Sequence, residues 1–162
     1  MIKSTLVYIQ YEDSYLMLFR GNKKNDPNEG KWIGIGGKFE EGETAEECLL
    51  REVHEEVGIT LTDYTQRGLI EFRSDAAPDE DMYLYTARYS GAKENLLVSC
   101  NEGTLALIKK EEVLSLPLWE GDRFFLEPLI YKEETASTFI RLRLEYSGNS
   151  LAKVTDLSAT PS

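Results

Sequence analysis

The sequence predicts a single domain of the α/β (α+β) class, an α/β/α sandwich with a mixed β-sheet between helices. Strand-like runs interleave with two helical stretches, and no segment repeats. The first two runs are almost continuously apolar, as in strands covered on both faces. At 162 residues the chain can bury a sizeable core in one domain, and no linker is long enough to separate a second.

In chain order, Thr5 to Gln10 and Tyr15 to Arg20 are β-branched or aromatic runs joined by Glu12-Asp13-Ser14, a hairpin signal. A polar loop from Gly21 to Gly30 follows. Trp32 to Gly37 (WIGIGG) then leads toward a helix; its glycines allow either close approach to a ligand or simply a tight turn. Thr44 to Val57 lacks Pro and Gly and reads as helix, stopped at Gly58. Arg67 to Arg73 and Met82 to Tyr89 read as strands around an acidic loop, and Thr104 to Ile108 as another. A second helix is expected within Trp119 to Lys132, opened by Asp122 as cap or first-turn acid, with Phe124, Phe125, Leu129 and Ile130 turned to the core. Ile140 to Tyr146 alternates cleanly, Ser147 to Ser150 supplies a turn, and Leu151 to Thr155 can be the partner strand. The domain is thus expected over 1–155, with a hairpin-like extension from about 137 and a disordered tail over 156–162.

A net charge of −11, from 18 Lys+Arg against 29 Asp+Glu, argues against nucleic-acid polymers and anionic membranes as partners. A phosphate-bearing substrate would need local cations. Two cysteines make no disulfide framework, and Cys48 falls on an apolar helix side. His54 is the only histidine and points away from that side, which removes His-based zinc sites and Ser-His or Cys-His triads. There is no export signal and no run of ~20 apolar residues, so the expected compartment is cytoplasmic.

The first helix carries an anomaly. At about 100° per residue, Ala45, Cys48, Leu49 and Val53 share one side, yet Glu52 and Glu56 fall within that stripe and Glu55 on its edge. Solvated Glu-rich helix faces are common. Burying like charges this close, however, raises their pKa values or costs several kcal/mol unless cations neutralise them. Oxygen-only ligands suit Mg²⁺ or Mn²⁺.

The flanks decide between these readings. Gly37, five residues, Glu43, seven residues, then Arg51-Glu52-Val53-His54-Glu55-Glu56-Val57-Gly58-Ile59 resembles the signature of the Nudix hydrolases at every defined position. The resemblance implies a Nudix-type α/β/α sandwich and a metal-dependent hydrolase of nucleoside diphosphates linked to another group. It further implies that Glu52, Glu55 and Glu56 bind divalent cations, with Glu52 first and Glu55 second as general base, and that Arg51 orients them. Glu43 would hold loop and helix together, and the Gly36 carbonyl would be a backbone ligand. Glu102 would supply a later acidic ligand, unless it is an ordinary turn residue. Arg20 and Lys38 match cations that contact phosphates in relatives, with a solvated surface role as the alternative.

Leu116 to Asp122 resembles the base-recognition segment of the MutT-like enzymes that hydrolyse oxidised purine nucleotides such as 8-oxo-dGTP. Trp119 would supply stacking area and Asp122 a hydrogen-bonding edge; alternatively Trp119 is core and Asp122 a helix cap. Ile33 stands where some of these enzymes carry Asn after the tryptophan, so one polar base contact is lost. Markers of ADP-ribose, diadenosine polyphosphate, NADH and coenzyme A hydrolases are absent. The expected activity is hydrolysis of an oxidised purine nucleoside triphosphate to monophosphate and pyrophosphate with Mg²⁺ (Mn²⁺ substituting), by a monomer or homodimer. Another Nudix substrate, or a noncatalytic metal-dependent nucleotide sensor, is the alternative.

Overall fold

The apolar N-terminal run forms the strand around which the sheet is assembled. In a computed structural model that describes residues 1–21, 26, 28–132 and 138–158, β1 (Ile2–Tyr11) turns at Glu12, whose φ is 52°, into β2 (Ser14–Phe19). Val7, Tyr8 and Ile9 are all fully buried. Because neighbouring strand residues point to opposite faces, this requires a layer on each side.

β1 changes partner along its length. Residues Ile9 to Tyr11 pair with β2, whereas Ser4 to Val7 pair antiparallel with β4 (Ile35–Lys38). On its other edge β1 runs parallel to β6 (Glu80–Arg88), which pairs antiparallel with β5 (Asp63–Ser74). β3 (Trp32–Ile33) and β7 (Thr104–Lys109) both pair with β2. Beyond β5 lies the parallel β8 (Ile140–Ser147), closed by its hairpin partner β9 (Ser150–Asp156). The result is a mixed sheet covered on both faces.

On one face lies α1 (Ala45–Val57), where Leu49 and Val53 pack with Val7, Ile9 and Ile35. Thr44 caps α1 in a capping box with Glu47, and Gly58 ends it at φ 84°. Such a cap contributes ~1 kcal/mol; each fully buried aliphatic side chain contributes about 1.5–3 kcal/mol. On the other face, Phe125 and Leu129 of α3 (Arg123–Tyr131) pack with Tyr8, Tyr15 and Met17. A third, short helix not foreseen in the sequence, α2 (Lys110–Val113), follows β7 and buries Val113.

The helix expected within Trp119 to Lys132 is present as α3, which starts directly after Asp122 and is preceded by a 3-10 turn at Glu120–Asp122. Asp122 holds the N-cap position, but with helical φ and ψ and without a side-chain capping hydrogen bond, so its carboxylate does not act as the cap. Phe124 is 49% exposed rather than core, because Phe125 and Leu129 already set the buried side. The alternation over Ile140 to Tyr146 holds, with Ile140, Leu142 and Leu144 buried. β9 includes Asp156, whose carboxylate accepts from Ser158. Residues 133–137 and 159–162, and so most of the expected tail, lie outside the described residues, as does part of the Gly21 to Gly30 loop.

Candidate active site

Two glycines let the catalytic-looking helix approach the sheet. A Cβ on Gly36 would stand 1.9 Å from the Thr5 carbonyl oxygen, so β4 can lie against β1 only without a side chain there. A Cβ on Gly37 would stand 2.5 Å from the Glu52 carboxyl carbon, which places that carboxylate directly over the β4 backbone. Cys48 packs beneath, its thiol 3.4 Å from the Thr5 hydroxyl.

Arg51 ties this arrangement together. Its Nε and Nη2 donate to the two oxygens of Glu43 at 2.6 and 2.9 Å, and Nη2 also donates to the Lys38 carbonyl at 3.1 Å. Nη1 reaches Glu52 Oε1 at 2.8 Å and Glu55 Oε2 at 3.2 Å. The guanidinium bonds hold the Glu43 carboxyl down to about 2, and Glu43 also accepts the Glu40 amide at 2.8 Å. Charge-assisted bidentate bonds of this kind are the stronger class of hydrogen bond.

The other carboxylates behave in the opposite way. Burial pushes the Glu52 carboxyl up, with Arg51 opposing. Glu56 is pushed up to about 8, first by burial and then by Glu52 and Glu102, against a hydrogen bond from Gly36 and the charge of Arg20. Its Oε2 is buried without a hydrogen-bond partner. Glu102 sits in a turn closed by a Cys100 to Gly103 bridge, and Arg20 pairs with it at 3.2 Å and with Asp26 at 2.6 Å. The Glu55 side chain is 56% exposed.

Thus Glu52, Glu56 and Glu102 are electrostatic neighbours, with Arg20 beside them. Lys38 is exposed, and its carbonyl rather than its ammonium is engaged. Among the described residues no three His, Cys, Asp or Glu side chains already stand as a metal-ligating group. Arg51 holds Glu52 and Glu55, so a complete ligand shell requires side-chain rotation. The donor chemistry still fits a hard divalent cation: oxygen ligands, one orphaned buried oxygen, and a carboxyl pushed up by burial and by acidic neighbours that a cation would offset.

A second group lies beyond β3. Trp119 Nε1 donates to Asn28 Oδ1 at 2.7 Å, Tyr146 meets its ring edge-on at 5.6 Å, and Lys31 Nζ lies 4.9 Å from the ring centre. The Tyr146 hydroxyl accepts the Gly121 amide at 2.8 Å. Asp122 is 6% exposed, and burial pushes its carboxyl up to about 7 against the charge of Lys31. The nearby Tyr8 hydroxyl is buried and unpartnered. Asn28, Lys31, Tyr8 and Tyr146 escaped the sequence reading, since only the fold brings them to Trp119 and Asp122.

A sheet between helices, with a glycine strand set against an acid-bearing helix, defines a hydrolase of the Nudix class. The sequence matches the NUDIX domain over residues 3–127, and the protein belongs to that family. Hydrolases of this family generally use a divalent metal. The chain is 26% identical over 136 residues to the mouse oxidized purine nucleoside triphosphate hydrolase, covering 83% of each chain. It is 29% identical over 122 residues to the Nudix hydrolase YvcI of Bacillus subtilis, covering 74% of this chain and 73% of that one. The crystal structure of the MutT protein from Bacillus halodurans superposes with a TM-score of 0.82 at 23% identity, over 99% of this chain and all of the other. That match extends through β8 and β9, so the hairpin is part of a shared fold. Among the described residues no helix is long and apolar enough to cross a membrane.

Proposed function

We propose that this protein hydrolyses an oxidised purine nucleoside triphosphate of the 8-oxo-dGTP kind to the nucleoside monophosphate and pyrophosphate, with Mg²⁺ or Mn²⁺ as cofactor. The observation that carries the reading is Glu56, a buried carboxylate with an orphaned oxygen beside a second desolvated glutamate. Glu52, Glu55, Glu56, Glu102 and the Gly36 carbonyl would hold the metal. When bound, it supplies charge that lowers the pKa of water and offsets that of the phosphates.

The remaining work falls to the chain. Glu52, set over the Gly37 backbone, is the general base that takes the proton of the attacking water, with Glu55 as the alternative. Arg51 positions both carboxylates, and Glu43 locks Arg51 to the loop before α1. Arg20, freed in part from Glu102, and Lys38 at the open end of β4 contact phosphate oxygens. Trp119 stacks on the purine. Asp122, poised near pH 7, faces its edge and can donate or accept a hydrogen bond. The mouse relative, named for oxidized purine nucleoside triphosphates, supports this substrate class.

The test is turnover of a nucleotide panel with Mg²⁺, separating pyrophosphate from phosphate release. Preference for 8-oxo-dGTP over dGTP with pyrophosphate as product is expected. Phosphate release, or activity only on another nucleoside diphosphate derivative, would remove the substrate assignment; binding without turnover would make the protein a nucleotide sensor.

A further inference from the structure

The stretch from Leu116 to Asp122 is held at both ends by strands of the sheet. At one end the Pro117 carbonyl accepts the Trp32 amide of β3 at 2.9 Å. At the other, Gly121 is buried against β8: a Cβ there would stand 2.6 Å from the Tyr146 hydroxyl oxygen and 2.7 Å from Leu144 Cδ1. In strand order β2, β1, β6 and β5 lie between β3 and β8. The stretch is therefore strung across the α3 face of the sheet, where Leu116, Leu118 and Tyr146 join the core.

The β8 end lacks a cap of its own, and Tyr146 supplies one. The first N–H groups of a helical turn have no partner within it, and a side-chain oxygen on the preceding residue usually accepts the second or third. Before the 3-10 turn at Glu120–Asp122 stands Trp119, whose indole can only donate and gives its N–H to Asn28 Oδ1 at 2.7 Å. The Asp122 side chain makes no capping bond either. The oxygen comes from β8 instead: the Tyr146 hydroxyl accepts the Gly121 amide, the second of the turn, at 2.8 Å. The ring of the same residue meets Trp119 edge-on, with centres 5.6 Å apart and planes at 87°. Edge-to-face pairs have a preferred geometry, so this contact sets the tilt of the indole as well as its place.

We propose that Tyr146 is a positioning residue for base selection, an inference that rests on the function proposed above: its hydroxyl fixes the Gly121 turn that aims Asp122, and its ring fixes the stacking surface of Trp119. The two roles use different atoms and are separable. Loss of the hydroxyl disturbs the reading edge and leaves stacking in place, whereas loss of the ring weakens every purine. Neither reaches the glutamates of α1, which packs on the opposite face of the sheet.

The experiment compares wild type, Tyr146→Phe and Tyr146→Leu by steady-state kinetics on 8-oxo-dGTP and dGTP with Mg²⁺, and by amide hydrogen exchange at Gly121. In Tyr146→Phe, exchange at Gly121 should quicken, and the kcat/KM ratio between the two nucleotides should shift about fivefold, the order of one lost hydrogen bond, through KM rather than kcat. Tyr146→Leu should show the same shift and in addition raise KM for both nucleotides. The rise in melting temperature with Mg²⁺ should be that of the wild type in both variants. An unchanged ratio in Tyr146→Phe despite faster exchange at Gly121 would leave the tyrosine a structural cap and overturn the proposal. Unchanged exchange would overturn the cap itself, and a fall in kcat on both nucleotides or a lost Mg²⁺ shift would show damage beyond the recess and overturn the assigned role. A wild type with no preference between the two nucleotides fails the substrate reading before any variant is compared, and the role of Tyr146 falls with it.

Discussion

Two buried carboxyls, Glu56 on α1 and Asp122 before α3, both have pKa values raised to near neutrality, about 8 and about 7, for different reasons. Glu56 is crowded: after burial, what raises it is Glu52 and Glu102. Asp122 is different: burial alone raises it, and the charge of Lys31 lowers it. A crowded acid is relieved by a cation. One raised by burial alone is, at neutral pH, a hydrogen-bonding group of adjustable sense, donor below its pKa and acceptor above. On the proposed function, the same direction of shift would serve charge neutralisation at Glu56 and edge recognition at Asp122.

The largest effect should come from the crowded side. Glu52→Gln should lower kcat by about 10²–10⁴-fold, the range of a lost general base, with a much smaller change in KM. Steady-state kinetics check this, and an unchanged kcat would transfer the role to Glu55. Next in size is Gly37→Ala. Its new methyl would meet the Glu52 carboxyl at 2.5 Å and push it aside, for a loss of roughly 10²-fold in kcat while the melting temperature changes little.

Metal linkage is subtler. Mg²⁺ or Mn²⁺ should raise the melting temperature, by the equivalent of about 2.7 kcal/mol at a hundred times Kd, and Glu56→Gln should abolish most of that shift. Without metal the sign reverses. A carboxyl raised from 4.5 to about 8 binds its proton more tightly folded than unfolded, so the metal-free protein loses stability as pH rises across that window. Glu56→Gln should flatten this slope. Equal falls in melting temperature between pH 5 and pH 8 in EDTA for both proteins would show that Glu56 is not the source of the slope.

The smallest effects belong to the Asp122 side. Trp119→Ala should weaken all purine substrates by ~1–3 kcal/mol with little change in their ratio. Asp122→Asn should instead alter the ratio of kcat/KM between 8-oxo-dGTP and dGTP more than their sum. In the wild type that ratio should vary between pH 6 and 8 and in the variant should not. A pH-independent wild-type ratio would make Asp122 a buried acid without a reading role.

The crowded side was legible in the sequence because its geometry is local. Glu43, Arg51, Glu52, Glu55 and Glu56 sit within fourteen residues, mostly on one helix whose period is known. Even so, the outward turn of Glu55 and the grip of Arg51 on it needed coordinates. The Asp122 side was legible only in Trp119 and Asp122. Whether Asp122 caps a helix or lies in a dry recess depends on Tyr8, Lys31 and Tyr146, which lie far from it in sequence, so the sequence left both readings open. The parallel pairings of β1 with β6 and β5 with β8 were likewise beyond reach, because alternation reveals faces but not neighbours.

Tyr146 stands on β8, outside the 3–127 span that matches the family, yet its ring abuts Trp119 and its hydroxyl holds the Gly121 amide. The terminal hairpin is thus a wall of the recess around Trp119 rather than an appendage. On the proposed function, substitutions at the Trp119-facing end of that hairpin would alter which bases are admitted while leaving the contacts between α1 and β4 in place.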